Sequence, residues 1–274
     1  MSETESLAAF ILVGGRGTRL KKGENEEFKL WPKPLVRTAG LGSETLLDMT
    51  IAGLREKAGV ERFIFLTGKH PETQEDLIQA HIKAFYGKIG DKIRTEVSFI
   101  SEDVPLGTAG ATNLALEKIK DGSVIVSPSD TVFPYGELSK IPVDYRGRES
   151  IIWMATSYVQ GGEQNIGKLL CDPETGQIKY VLEGDNPSMP TAEQKAGLNA
   201  LTSGGVLLVN RNFYLKMYSE YLEAYPEKRG KPVSLYGEFI RWLVEKGEPV
   251  YTYDVRMPVM DLGRPEAFAK FSDG

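Results

Sequence analysis

The sequence predicts an α/β protein whose sheet is mostly parallel, and three observations carry that expectation. Strand-like apolar runs alternate with helix-period segments through the first half of the chain, the pattern of successive βαβ units. Two of those runs, Phe63-Ile64-Phe65-Leu66 and Val124-Ile125-Val126, are continuously apolar, as strands covered on both faces must be. The first run ends in Gly14-Gly15-Arg16-Gly17, and a strand feeding a glycine turn is how such folds bring backbone N–H groups up to a phosphate.

Taken in order, the first half reads as strand Ala8–Val13, helix Thr45–Ala58, strand Arg62–Thr67, helix Pro71–Phe85, strand Glu96–Ile100, helix Thr108–Lys118 and strand Ser123–Ser127. The helix near Thr45 carries Leu46, Leu47, Ile51 and Leu54 on one side, a stripe that faces a core rather than a ligand. The second half is richer in strands: Ser150–Ser157, Gly167–Cys171, Ile178–Leu182 and Val206–Val209. Asp172-Pro173-Glu174-Thr175-Gly176 is a turn between two of them. Gly184–Gly197 is Pro-, Gly- and polar-rich and is expected to be a long loop of the lid or substrate kind. Helices follow at Phe213–Tyr221 and Leu235–Lys246, then strand Val250–Val255 and a last segment Pro265–Phe271. The simplest architecture is one α/β domain with an inserted β-rich half.

Composition narrows the function classes. The 274 residues carry a net charge of −5, which argues against a nucleic-acid binder with its basic face. No apolar stretch reaches 18 residues, so a membrane span is not expected, and Met1-Ser2-Glu3-Thr4-Glu5 is too acidic for a secretory signal. One cysteine, Cys171, excludes an internal disulfide and fits a cytoplasmic protein; it lies in an apolar run and is expected to be buried. With one Cys and two His zinc is not expected, whereas abundant carboxylates point to Mg²⁺, with Mn²⁺ as its substitute.

The opening stretch, Leu12-Val13-Gly14-Gly15-Arg16-Gly17-Thr18-Arg19-Leu20, closes with Pro32-Lys33-Pro34-Leu35. It fails the dinucleotide fingerprint, because Arg19 and Leu20 follow where a third glycine is wanted. Thr67-Gly68-Lys69-His70 likewise lacks what a P-loop needs. The glycine run and the later Pro-Lys-Pro resemble instead the sugar-1-phosphate nucleotidyltransferases, and Leu106-Gly107-Thr108-Ala109-Gly110 is similar in wording to their mannose-1-phosphate guanylyltransferase-like members. That resemblance covers Ala8 to about Phe271 and implies a Rossmann-like three-layer α/β/α sandwich with a mixed, mostly parallel sheet. It implies a single domain over 1–274, with a nucleotide-binding part at about 7–135, a sugar-phosphate part at about 149–255 and a closing metal-ligand segment at 256–274. Hexapeptide repeats are absent, so no C-terminal β-helix domain is expected. The resemblance further implies a homo-oligomer, dimer or tetramer.

The resemblance also assigns residues. Arg19 and Lys33 take the catalytic places against the triphosphate, and Leu12, Gly14, Gly15, Gly17 and Thr18 line the nucleotide. Ser129-Asp130 resembles the family's Gly-Asp element, with Ser129 for glycine, and Met260-Asp261-Leu262-Gly263-Arg264-Pro265-Glu266 resembles its late Asp-x-Gly-Thr-Pro-Glu. Asp130 and Asp261 thereby become the metal pair, a choice that suits a hard cation neutralising a triphosphate. Ser101-Glu102-Asp103-Val104-Pro105-Leu106-Gly107-Thr108 resembles the nucleobase segment, with Glu102, Pro105, Gly107 and Thr108 in place. An ionised carboxylate only accepts hydrogen bonds. Guanine offers it two adjacent donors, whereas uracil and thymine set one donor between carbonyls, so Glu102 tilts the choice to GTP.

The sugar side departs further from the pattern. Asn165-Ile166-Gly167-Lys168, Val181-Leu182-Glu183-Gly184-Asp185 and Thr202-Ser203-Gly204-Gly205 stand where the family keeps sugar contacts, which nominates Gly167, Lys168, Glu183, Ser203 and Gly204. The lysine that usually grips the sugar phosphate is missing, and Lys168 is nearest to replace it. The charged segment from Lys21 to Trp31 is a few residues longer than the family's. The implied reaction is transfer of a nucleoside monophosphate from an NTP to a sugar 1-phosphate. Its alternatives are the same reaction with dTTP or UTP and glucose 1-phosphate, or a non-catalytic NDP-sugar-binding regulator. His70 and His81 are read as surface residues, and Tyr214, Tyr218, Tyr221 and Tyr225, at helical spacing, as packing or an interface.

Overall fold

The computed structural model describes residues 7–15, 31–37, 44–69, 74–90, 96–142, 145, 147–158, 168–182 and 190–262. In chain order the elements are β1 (Ala8–Leu12), α1 (Leu46–Ala52), β2 (Arg62–Gly68), α2 (Glu75–Gly90), β3 (Glu96–Glu102), α3 (Gly107–Lys118), β4 (Ser123–Pro128), β5 (Thr131–Val132) and β6 (Ile151–Thr156). They continue with β7 (Lys168–Cys171), β8 (Ile178–Leu182), α4 (Ala192–Lys195), β9 (Asn199–Asn210), α5 (Arg211–Ala224), α6 (Arg241–Lys246), β10 (Val250–Asp254) and β11 (Met260–Asp261). The chain divides into two compact units, Met1–Pro105 with Val126–Lys140 and Val259–Gly274, and Leu106–Ile125 with Ile141–Pro258.

In the first unit the strand order is β4-β1-β2-β3, with β1 parallel to β2 and β2 parallel to β3. The continuous apolar runs behave as expected: Phe63 to Leu66 and Val124 to Val126 are all buried. Thr45 starts α1 with a reciprocal capping box, its hydroxyl accepting from the Asp48 N–H and the Asp48 carboxylate accepting from the Thr45 N–H, which satisfies two otherwise orphaned donors. The stripe Leu46, Leu47, Ile51 and Leu54 is buried, and the helix ends in a π-helical turn, Gly53–Lys57. A Cβ on Gly53 would fall 2.2 Å from the Tyr135 ring, so glycine there admits the aromatic. In the same unit β11 pairs antiparallel with β5, Asp261 opposite Thr131 and Met260 opposite Val132. Leu262 joins Val36 and Leu46 in a small core.

His81 corrects an expectation. It is not a surface residue: its side chain is 13 % exposed, with Nε2 2.8 Å from Asp48 Oδ1. The Tyr86 hydroxyl donates to the same oxygen at 2.9 Å and the Thr45 hydroxyl donates to Oδ2 at 2.7 Å. Burial opposes charge on Asp48, but the bonds from His81 and Thr45 prevail and hold its pKa at about 2. A carboxylate depressed in the folded state adds stability above its unfolded pKa and loses it as pH falls through the folded one. Asp48 is therefore expected to contribute about 2 kcal/mol at pH 5, most of it gone by about pH 2 and the rest below that. Urea unfolding of wild type and Asp48→Asn across that window checks this. The wild type should lose more stability than the variant by roughly that amount, and parallel pH curves would contradict it.

In the second unit the order β10-β6-β9 continues through β7 to β8. β10 runs parallel to β6, whereas β6–β9, β7–β9 and β7–β8 are antiparallel, which makes the sheet mixed. β9 starts at Asn199 rather than Val206. Within the expected loop Gly184–Gly197, Thr191 caps a one-turn helix, α4. Tyr214, Tyr218 and Tyr221 are buried, and they pack on Phe239 at ring distances of 4.9, 5.4 and 5.7 Å. The tyrosine stripe is thus packing. Cys171 is 2 % exposed, and burial pushes its thiol pKa up, which leaves it inert.

Candidate active site

The first unit gathers most of the nominated nucleotide and metal residues that fall among those described. β1 delivers the chain to Gly14 and Gly15 through a bond from the Val13 N–H to Leu66 O at 3.1 Å. Gly14 is glycine for packing: a Cβ there would lie 3.2 Å from the Thr67 carbonyl carbon and 3.3 Å from the Gly68 nitrogen. Gly15 is different: it is exposed, and among the described residues nothing lies within 4 Å of its missing Cβ, which leaves room for a ligand beside its backbone. Leu12, half-buried at the strand's end, gives its carbonyl to the Ser129 hydroxyl at 3.1 Å. Ser129, which stands where the resemblance expects glycine, thereby ties the turn before Asp130 to the strand before the glycines.

Lys33 opens a one-turn 3-10 helix, Lys33–Leu35, between Pro32 and Pro34. The two prolines fix φ on either side, and the Leu35 N–H to Pro32 O and Val36 N–H to Lys33 O bonds close the turn. Its ammonium pairs with the Asp130 carboxylate, each side chain being 16 % exposed. Asp130 sits just past β4, and its carbonyl accepts from the Leu262 N–H at 2.9 Å. Asp261 lies opposite Thr131 on the paired strand, so the ribbon sets two carboxylate residues at adjacent register positions. That donor set fits Mg²⁺, which takes one or two carboxylates and completes its shell with water and phosphate oxygens. Among the described residues no cluster of three or more His, Cys, Asp or Glu forms a site closed by protein ligands alone.

Glu102 ends β3, opposite Gly68 of β2, and its carbonyl accepts from the Lys69 N–H at 3.1 Å. The strand runs two residues past the expected Ile100, so Glu102 stands on the sheet edge rather than in the following loop. A Cβ on Gly68 would lie 3.8 Å from Glu102 Oε2, so the carboxylate lies beside the Gly68 backbone. Asp103 pairs with Lys69 at 2.5 Å in solvent, and Pro105 is exposed at the end of this segment.

In the second unit, Gly107 and Thr108 lie where the start of α3 packs on Val233 and Leu235. The N–H of Val233 bonds to Leu106 O at 2.8 Å and the N–H of Ala109 to Val233 O at 3.0 Å. The Thr108 hydroxyl oxygen accepts from the Leu235 N–H at 2.8 Å. Ser203 accepts from Trp153 Nε1 at 2.9 Å and from the Gly205 N–H at 3.2 Å, while Gly204 is buried. Lys168 is exposed at the first position of β7. Arg19, Gly17, Thr18, Gly167 and Glu183 lie outside the described residues, as do most of the charged segment from Lys21 to Trp31 and His70. The Asp48–His81–Tyr86 cluster was the polar feature missed in the sequence; its single advance signal was the Thr45–Asp48 capping spacing.

Strand order, register and the residues at the strand ends define a Rossmann-like α/β protein with a mixed, mostly parallel sheet. The particular family follows from comparison: the model described as nucleotidyl transferase matches residues 8–273, and the chain belongs to that family. Mannose-1-phosphate guanylyltransferase of Mycobacterium tuberculosis is 26% identical over 270 residues, 98% of this chain and 64% of that protein. Probable mannose-1-phosphate guanylyltransferase 1 of rice (Oryza sativa) is 31% identical over 182 residues, 65% of this chain and 45% of that protein. The chain thus spans between about half and two thirds of the length of these relatives. Among solved structures, HddC from Yersinia pseudotuberculosis complexed with GMP-PN superposes with a TM-score of 0.66 at 21% identity, covering 97% of this chain and 98% of that one. A putative glucose-1-phosphate thymidylyltransferase from Bacillus anthracis gives 0.69 at 19% identity over 98% and 94%.

Proposed function

We propose that this chain transfers GMP from GTP to a sugar 1-phosphate, mannose 1-phosphate foremost, giving a nucleoside-diphosphate sugar and pyrophosphate. One observation carries the reading: Lys33 and Asp130 form an ion pair, with Asp261 on the adjoining strand, in the unit whose Gly15 backbone is open to a ligand. An oxygen of the sugar phosphate attacks the α-phosphorus, the α–β bridging P–O bond breaks, and its electrons leave on pyrophosphate. No side chain has to act as nucleophile, so the protein's work is alignment and charge neutralisation. The Gly15 backbone takes phosphate oxygens, and Lys33, with Arg19 in the reading from resemblance, sets positive charge where negative charge grows. Asp130 and Asp261 would hold Mg²⁺, which supplies further neutralisation of the triphosphate. Among the candidates for the sugar phosphate, Lys168 is the exposed cation and Ser203 is already committed to Trp153. The same reading carries a cytoplasmic protein acting as a dimer or tetramer; among the described residues no helix is long and apolar enough to cross a membrane.

Glu102 supports guanine, because its carboxylate takes the two adjacent donors of that base, and the relatives above are named as guanylyltransferases. Pyrophosphate release is the test, measured for GTP, ATP, CTP, UTP and dTTP with mannose and glucose 1-phosphates, with and without Mg²⁺. GTP should give the highest kcat/KM. Glu102→Gln should lower it by about one to two orders of magnitude, the worth of a charged hydrogen bond, and narrow the gap to other bases. A preference for UTP or dTTP would overturn the role of Glu102, and no pyrophosphate from any pair would favour the non-catalytic homologue.

A further inference from the structure

We propose that Lys33 and a divalent cation compete for Asp130, so that the ligand-free chain carries its lysine ammonium where the metal will bind. The proposal rests on the reading of Asp130 as a metal ligand and concerns what occupies it first. Lys33 and Asp130 pair directly, each largely shielded from solvent, so water screens the contact less than it would a surface pair.

Both partners are anchored. Lys33 stands in a 3-10 turn bracketed by Pro32 and Pro34 and closed by two backbone bonds. Asp130 is fixed from two sides: Ser129 donates to Leu12 O, and the Leu262 N–H donates to the Asp130 carbonyl. Anchoring of this kind holds both backbones in place, so that the entropy opposing the pair is that of the two side chains alone. A carboxylate bearing an ammonium cannot also admit a divalent ion at bonding distance without setting like charges against each other. The ion must displace Lys33, and Lys33 then needs another anion. A triphosphate at the neighbouring glycine turn is such an anion. Metal and triphosphate should each tighten the other, since linkage between two sites is reciprocal.

Mn²⁺ alone is the probe, followed by the loss of its free-ion EPR signal on binding to wild type, Lys33→Met, Lys33→Arg, Asp130→Asn and the double variant Lys33→Met/Asp130→Asn, without nucleotide. Lys33→Met should bind Mn²⁺ about 5-fold or more tightly than wild type, at the low end of ordinary coupling between sites. Lys33→Arg, which keeps the charge, should stay near wild type, and the double variant should lose the gain. Unchanged or weaker binding by a folded Lys33→Met, with binding still lost in Asp130→Asn, overturns the competition and leaves the metal site standing. Absence of Mn²⁺ from every chain, with GTP present as well, overturns the competition and the paired-aspartate metal reading together. Should Lys33→Met fail to fold, Lys33→Gln repeats the comparison with a side chain that can hydrogen-bond Asp130.

Discussion

Lys33→Met is expected to lower kcat by about 10²–10³-fold, the usual result of removing one preorganised donor from a site of developing charge, while far-ultraviolet circular dichroism stays that of the wild type. The lysine's backbone is in place before substrate arrives, because the proline-bracketed turn fixes it. Once the metal takes Asp130, the ammonium has only to turn to the triphosphate, and a charge held there needs little reorganisation when the α-phosphorus becomes more crowded and more negative. The KM for the nucleotide should change less than kcat, because much of the interaction strengthens only at the transition state. Steady-state rates at saturating GTP and sugar 1-phosphate check it. Activity within about threefold of wild type would remove Lys33 from the chemistry.

Gly107→Ala is expected to destabilise the protein by roughly 3 kcal/mol or more, lowering Tm by about 10 °C. Gly107 has φ +72°, and a Cβ there would lie 2.5 Å from both the nitrogen and the oxygen of Val233. Those are backbone atoms, and they cannot retreat without breaking the bonds that join Val233 to Leu106 and Ala109. Backbone strain and steric overlap therefore act together. Differential scanning calorimetry of the two chains is the check, and a change in Tm of less than about 2 °C would show that the α3 entrance tolerates a side chain. The same glycine was nominated for the nucleotide by resemblance; its packing against Val233 is a sufficient structural reason for it.

How legible these features were follows from where their signals lie. β1, β2, β4 and the stripe on α1 were readable because two-sided burial writes itself as unbroken apolar runs and helical burial as a period, and Phe63–Leu66 and Leu46–Leu54 carry both. β9 was read too short because Asn199–Gly205 mixes exposed polar residues with glycines, which hides a strand whose hydrogen bonds come from β7 and β6. The β5–β11 ribbon is only two residues deep, far below what periodicity can show, so the placing of Asp130 beside Asp261 was visible through resemblance alone. Asp48 and His81 lie on α1 and α2 in positions that read locally as polar faces. Their hydrogen bond exists because the helices come together, and no local pattern reports that. Ser203 was nominated for a sugar and is held by Trp153 across β6 and β9, a partnership that only the register reveals.

The most direct test of nucleotidyl transfer follows the α-phosphorus itself. GTP radiolabelled at that position is incubated with mannose 1-phosphate, Mg²⁺ and the protein, the products are separated and their label counted, and released pyrophosphate is quantified by phosphorus NMR. The account predicts label in a nucleoside-diphosphate sugar, with one pyrophosphate released for each label transferred and loss of both signals in Asp130→Asn. Label remaining in GTP, or orthophosphate released in place of pyrophosphate, would contradict it.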